Sequence, residues 1–223
     1  MTFTSFIPIR SINMTAVLSG IAVIVVFSII GVRSSNAAEA HSSVLAAELL
    51  IVRDDLSRFM DGVNFPPAHM RGLQNRITGS LGILPWLLRQ AGDAPGADQV
   101  RAFNLTPHPH NIALIKVLDQ LIERHPLDLS PYAAEHLTPK LRREAFAIHD
   151  VYCAGCHDDA GQGDDDTELP ARDLFLMART SSPETFLARL INGVKGDETL
   201  LFTNPLSPNQ VSSLWHHYRK HQR

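Results

Sequence analysis

The run His149-Asp150-Val151-Tyr152-Cys153-Ala154-Gly155-Cys156-His157 decides more about this chain than any other stretch. Two cysteines stand three residues apart, a histidine follows at once, and the 223-residue chain has no other cysteine. On a helix that spacing puts both thiols about one turn apart, with the imidazole of the next residue beside them. A structural zinc site of the ribbon type would want a second Cys or His pair at ligand spacing, and none is convincing. A thioredoxin-like redox pair would want a strand-to-helix setting and does not need the histidine. C-x-x-C-H is the pattern of covalent haem attachment. Cys153 and Cys156 would add to the two vinyl groups of one haem, and His157 would bind its iron on the proximal side. The expected cofactor is therefore haem c, one per chain and covalently held. The bland alternative is a structural or redox-active Cys153–Cys156 disulfide.

The N-terminus agrees with assembly of such a group outside the cytoplasmic membrane. Arg10 precedes an uncharged apolar stretch, residues 16–32 (AVLSGIAVIVVFSIIGV), followed by Arg33 and a small-residue segment from Ser34 to Ala40. Ala38-Glu39-Ala40 and Ser35-Asn36-Ala37 both fit a small-residue cleavage site. Residues 1–40 read as a signal peptide or, the apolar run being long for one, as an uncleaved anchor through residues 16–32. Either way a periplasmic or exported location is expected. No disulfide framework is available there, so packing and the haem must hold the fold.

Beyond residue 40 the chain has the length of one large or two small domains. A formal net charge of −3 is too small to argue for a nucleic-acid partner. Charge is locally uneven: Asp158, Asp159, Asp164, Asp165, Asp166 and Glu168 crowd after the motif, and Arg219, Lys220 and Arg223 end the chain. Both sets read as a solvated loop and a solvated helix end, the sharper reading being that the acidic run orients a basic redox partner.

From Thr138 onward the pattern is helical. Thr138 N-caps a helix with Pro139 at its first position. Leu141, Ala145, Ile148, Val151 and Tyr152 make its apolar stripe. Ser181-Ser182-Pro183-Glu184 has capping-box spacing from Ser181 to Glu184. Phe186, Leu187, Leu190 and Ile191 follow as an apolar face, and Asn192-Gly193 stop that helix. Ser207-Pro208-Asn209-Gln210 opens the last helix, with Val211, Leu214, Trp215 and Tyr218 as its buried stripe.

Residues 140–223 resemble a class I cytochrome c domain, with a helix running into C-x-x-C-H, a glycine loop, a middle helix, a distal loop and a C-terminal helix. His157-Asp158-Asp159-Ala160-Gly161-Gln162-Gly163 matches that family's H-G-x-x-G-x-G loop except at Asp158, and the Leu206-to-Tyr218 run resembles its ending. The resemblance implies that Pro170 is the proline whose carbonyl accepts the other N–H of the proximal histidine. It also implies a methionine as sixth iron ligand in the loop before the last helix. Here Thr199 takes that place, and neither Met nor His occurs between Ile191 and Leu214. Met177, the nearest methionine downstream of the motif, is a candidate distal ligand or else core filling.

The first half, residues 41–137, resembles no family we recognise. Leu45, Leu49, Val52, Leu56, Phe59 and Met60 repeat at helical spacing, as do Leu73, Ile77, Leu81, Leu84 and Leu88, and then Ile112, Ile115, Leu118 and Ile122. Asn64-Phe65-Pro66-Pro67 and the Ala91-to-Gly96 stretch read as loops. His108 and His110 lie on a proline-stiffened segment, His216 and His217 near the basic end of the last helix, and Asn204 in a turn before Pro205. His149 should face the surroundings of the haem rather than its iron.

The expected fold class is all-α: a C-terminal cytochrome c-like domain (138–223), a small helical region (41–137) and a signal or anchor segment (1–40). No acid–base pair or activated nucleophile is evident, so no catalytic residue is assigned, and the chain reads as an electron carrier rather than an enzyme. Its partners would be redox proteins outside the cytoplasmic membrane, or a larger oxidoreductase onto which residues 41–137 dock. With Thr199 in place of methionine, a gas- or peroxide-binding haem protein with an open sixth position is the second reading.

Overall fold

Leu45, Leu49, Val52 and Leu56 recur every three or four residues, and the helix they form, α1 (residues 42–61), buries all four. The computed structural model describes residues 42–62, 65–103, 111–133, 137–158, 166–193, 204 and 206–220. Among them the regular elements are all helices, as expected for an all-α chain. The signal or anchor segment, His108, His110, the glycine loop at 161–163 and Thr199 lie outside the described residues. Among the described residues no helix is long and apolar enough to cross a membrane.

Helix α2 (Pro67–Gln90) starts with a proline in its first turn, where a missing N–H costs nothing. Of its stripe, Ile77, Leu81, Leu84 and Leu88 share one core with Leu45, Leu49, Val52 and Leu56 of α1 and with Leu114, Leu118 and Leu121, and Leu73 is buried as well. Each such side chain, fully withdrawn from water, contributes about 2 kcal/mol. Two expectations change here. The Ala91-to-Gly96 stretch is a loop only to Asp93, because α3 (Ala94–Arg101) begins there, with Asp93 accepting from Gly96 N at 2.8 Å. An Asp cap with proline two residues later was the available signal. In α4 (Asn111–Arg124) the buried stripe is Leu114, Leu118 and Leu121, while Ile112 is 58 % exposed. Both phases have helical spacing, and the contact with the rest of the core selects one.

The second half repeats the same logic. Thr138 caps α5 (Pro139–Ile148) by accepting from Leu141 N at 3.2 Å. A wider π-type turn follows at His149–Cys153, and α6 (Ala154–His157) completes the run. The widened turn inserts a residue into the helical phase. That is why Val151 and Tyr152, expected on the buried stripe, are exposed, while His149 takes the interior position. Helix α7 (Leu174–Thr180) is capped by Asp173, and α8 (Pro183–Asn192) by Ser182, one residue later than the capping-box spacing suggested. Gly193, at φ 67°, ends α8 in the left-handed region that glycine adopts without strain. Ser207 and Gln210 bond reciprocally at the start of α9 (Pro208–Lys220): Gln210 N donates to Ser207 Oγ at 3.3 Å and Ser207 N donates to Gln210 Oε1 at 2.8 Å. Helices α5 and α9 pack on each other.

Residues 40–223 form one compact unit. The stretches on either side of residue 138 share a core cluster in which Ala47 and Ile51 of α1 meet Tyr132, Leu187, Ala188, Ile191 and Val211. Asn192 donates to Val44 O and Glu48 Oε2, both at 3.1 Å. Gly72 of α2 lies so close to the chain after the motif that a Cβ there would stand 2.0 Å from Glu168 O. At the centre, Asp55 accepts from Arg76 at 2.5 and 2.6 Å and from Arg189 at 2.7 Å, and Arg189 also donates to Asp54 at 2.5 Å.

Burial alone would raise the pKa of Asp55, but the charges and hydrogen bonds of Arg189 and Arg76 outweigh it and leave the carboxyl below its ordinary 3.8. A lowered folded-state pKa adds stability that is present above that ordinary value and is lost as pH falls through the lower, folded one. Asp55→Asn should therefore cost about 3–5 kcal/mol of unfolding free energy in urea titration at neutral pH, because it leaves buried guanidiniums uncompensated. The variant's stability should also fall less than that of wild type on acidification below pH 3.8.

Candidate functional site

The wide turn and α6 put the three motif side chains on consecutive turns of one helical run. Both cysteines are free thiols, Cys153 half-buried and Cys156 exposed. Cys153 packs against the cluster of Ala145, Leu174, Phe175, Phe186, Leu214 and Tyr218. Burial pushes its thiol pKa up, a hydrogen bond from Tyr218 opposes this, and the Asp158 and Cys156 charges add to the rise. The group is thus held as a thiol, not a thiolate.

His157 is fixed through one nitrogen. Its Nδ1 lies 2.6 Å from the carbonyl oxygen of Arg172. A carbonyl can only accept, so Nδ1 carries the proton and the neutral ring's lone pair is on Nε2. The resemblance implied Pro170 as this acceptor. In the structure the carbonyl is that of Arg172, two residues further on, where irregular chain runs into the Asp173 cap of α7. Spacing along the sequence located the segment, and the path of residues 170–173 decided which carbonyl meets the ring.

Met177 sits on α7, 6 % exposed, in the cluster with Ala145, Phe186, Leu214 and Tyr218. Asn204 has a turn role: its Nδ2 donates to Leu190 O at 2.5 Å, and its Oδ1 accepts from Leu206 N at 2.9 Å. Met60 is at the surface of α1.

Sequence reasoning missed the buried polar chain behind the motif. His149 is 3 % exposed, with Nδ1 3.1 Å from the Tyr218 hydroxyl and Nε2 3.1 Å from Asp158 Oδ1. Its ring meets Phe175 and Tyr218 edge-on at 5.4 Å each. Tyr218 is wholly buried and also meets Phe175 and Phe186 edge-on, at 5.1 and 5.9 Å. His217, read from sequence as part of a basic helix end, lies against His149 and Phe175 at 5.6 and 5.5 Å. The i, i+4 relation of His149 to Cys153 was visible in the sequence. The widened turn that takes it inward was not.

Among the described residues, no three His, Cys, Asp or Glu side chains gather as ligands for a metal ion of their own. A groove between α2 and α3, lined by Leu81, Pro85, Trp86, Arg89, Val100 and Arg101, contains none of the motif residues. A comparison with protein-family models, curated proteins and solved structures returns no match for this chain.

Tyr218→Phe tests the polar chain. It should cost about 1–3 kcal/mol in thermal or urea unfolding, because a buried imidazole nitrogen loses its partner while packing is kept. The Phe186→Ala cavity should cost more, about 3–5 kcal/mol.

Proposed function

We propose that this chain is an exported c-type cytochrome that holds one haem covalently and passes single electrons between proteins outside the cytoplasmic membrane. The observation that carries the reading is the hydrogen bond from His157 Nδ1 to Arg172 O at 2.6 Å, beside two unpaired thiols on the same helical run. It sets the tautomer and ring orientation that a histidine bound to iron through Nε2 requires. A disulfide between Cys153 and Cys156 would leave that arrangement without a use. The free thiols, the oriented imidazole and the exposed apolar side chains of Val151 and Tyr152 beside them suit a flat apolar group attached at this turn.

In this reading each thiol adds across one vinyl double bond, sulfur to one carbon and the thiol hydrogen to the other, with no redox change. The haem, once bound, supplies an iron that cycles between ferrous and ferric states. The chain's own residues do the rest. Cys153, in the wide turn, and Cys156, in α6, would fix the group to this helical run, His157 would supply the proximal nitrogen, and the Arg172 carbonyl would hold that ring and strengthen it as a donor. The packing of α5 on α9 and the His149–Tyr218–Phe175 cluster keep water from the side of Cys153. Partners would be redox proteins or a larger oxidoreductase.

A second reading, an open or exchangeable sixth position that binds a diatomic gas or peroxide, is favoured by one observation. Met177 is packed among Ala145, Phe186 and Leu214, which uses the nearest downstream methionine as core.

Expressed with haem-maturation machinery, wild type should keep its haem on a denaturing gel. Cys153→Ala with Cys156→Ala should abolish the staining, and His157→Ala should leave a destabilised protein depleted of haem. Staining that survives loss of both thiols would contradict the proposal. For the second reading, carbon monoxide should shift the reduced spectrum of wild type, and an unaffected low-spin spectrum would rule that reading out.

A further inference from the structure

Where α1, α2 and α8 meet the chain leading away from His157, four arginines face two aspartates. Asp55 engages Arg76, Arg189 and, at 3.6 Å, Arg58, and Asp54 engages Arg189. Four positive charges against two negative ones leave an excess of two. Arg172 accounts for much of it. Among the described residues no carboxylate lies within ion-pair distance of its side chain, and its Nη1 is buried without a hydrogen-bond acceptor. Burial, followed by the charges of Arg58 and Arg189 and against the weaker pull of Asp54 and Asp55, lowers its pKa to about 10, so it remains a cation at neutral pH. Arg58 is held low in the same way, by burial first and then, against the pull of Asp55, by Arg76 and Arg189.

A guanidinium partly withdrawn from water, with other cations near it and, among the described residues, no carboxylate at ion-pair distance, is stabilised when an anion joins it. The carbonyl of this same residue orients His157, so its side chain leaves the chain at the point where the backbone meets the imidazole. Arg58, Arg76, Asp54 and Asp55 all come from the first half of the chain, outside the motif.

We propose that Arg172, backed by Arg58, binds an oxyanion of the carboxylate or phosphate kind beside His157, and that the helical first half serves to build this site. The planar guanidinium suits such a group, since it can donate two parallel N–H bonds to it. The anion has two possible sources: a carboxylate of the attached haem, which rests on the reading above, or a free ion from solution.

The test uses the full chain, purified from a host with haem-maturation machinery and exchanged into a zwitterionic buffer of low anion content. Wild type, Arg172→Leu and Arg172→Lys are compared for reduction potential, and for melting temperature with and without inorganic phosphate or acetate. A haem carboxylate as the anion predicts a lower potential in Arg172→Leu, because the carboxylate left unpaired favours the ferric state. Arg172→Lys should return the potential toward wild type, and added phosphate should change nothing. A free anion predicts instead a saturable rise in melting temperature with phosphate or acetate, present in wild type and absent in Arg172→Leu. If neither the potential nor the anion response changes, the proposal is overturned. A protein that carries no covalent haem would refute the cytochrome reading alone, and the anion titration on wild type, which needs no variant, would then decide this one.

Discussion

The carboxylate of Asp55, 1 % exposed, gathers guanidiniums from helices at opposite ends of the sequence: Arg58 on its own helix, Arg76 on α2 and Arg189 on α8. A charge placed that deep is tolerated only while its partners stay in place. They stay in place because Leu49, Val52 and Leu56 bind α1 to α2, and because Ala47 and Ile51 bind α1 to α8. The apolar contacts provide the bulk of the stability. The ion cluster fixes which faces meet, since a slip of either helix would strand a buried ion.

That constraint reaches the motif through a short length of chain. Glu168 packs on Gly72 of α2, Arg172 stands among the arginines gathered around Asp55, and the Arg172 carbonyl holds His157. The first half is therefore coupled to the imidazole by position rather than by contact. On the other side of the turn, the cluster of His149, Tyr218 and Phe175 ties Cys153 to α9. The motif is thus tied to the rest of the fold by two supports, one ionic and one aromatic.

The fold class was legible because the leucine stripes of α1 and α2 have the same faces in sequence and structure, and because Thr138, Gly193 and Ser207 cap where their chemistry says they should. What was not legible depended on contacts distant in sequence. The phase of α4 is set by its neighbours in the core. The exposure of Val151 and Tyr152 follows from one extra residue in a turn, which no periodicity announces. The acceptor for His157 is Arg172 rather than Pro170 because the path of a few irregular residues decides which carbonyl meets the ring. The arginine cluster is spread over residues 58 to 189, so nothing local marks it.

The central claim is that Cys153 and Cys156 carry a haem, and the mass of the denatured, unreduced wild-type protein tests it most directly. Produced with haem-maturation machinery, the intact chain should weigh one haem more than its polypeptide, and the added mass should locate to the peptide containing Cys153 to His157. A polypeptide of unmodified mass, or one lighter by two hydrogens from a Cys153–Cys156 disulfide, would contradict it.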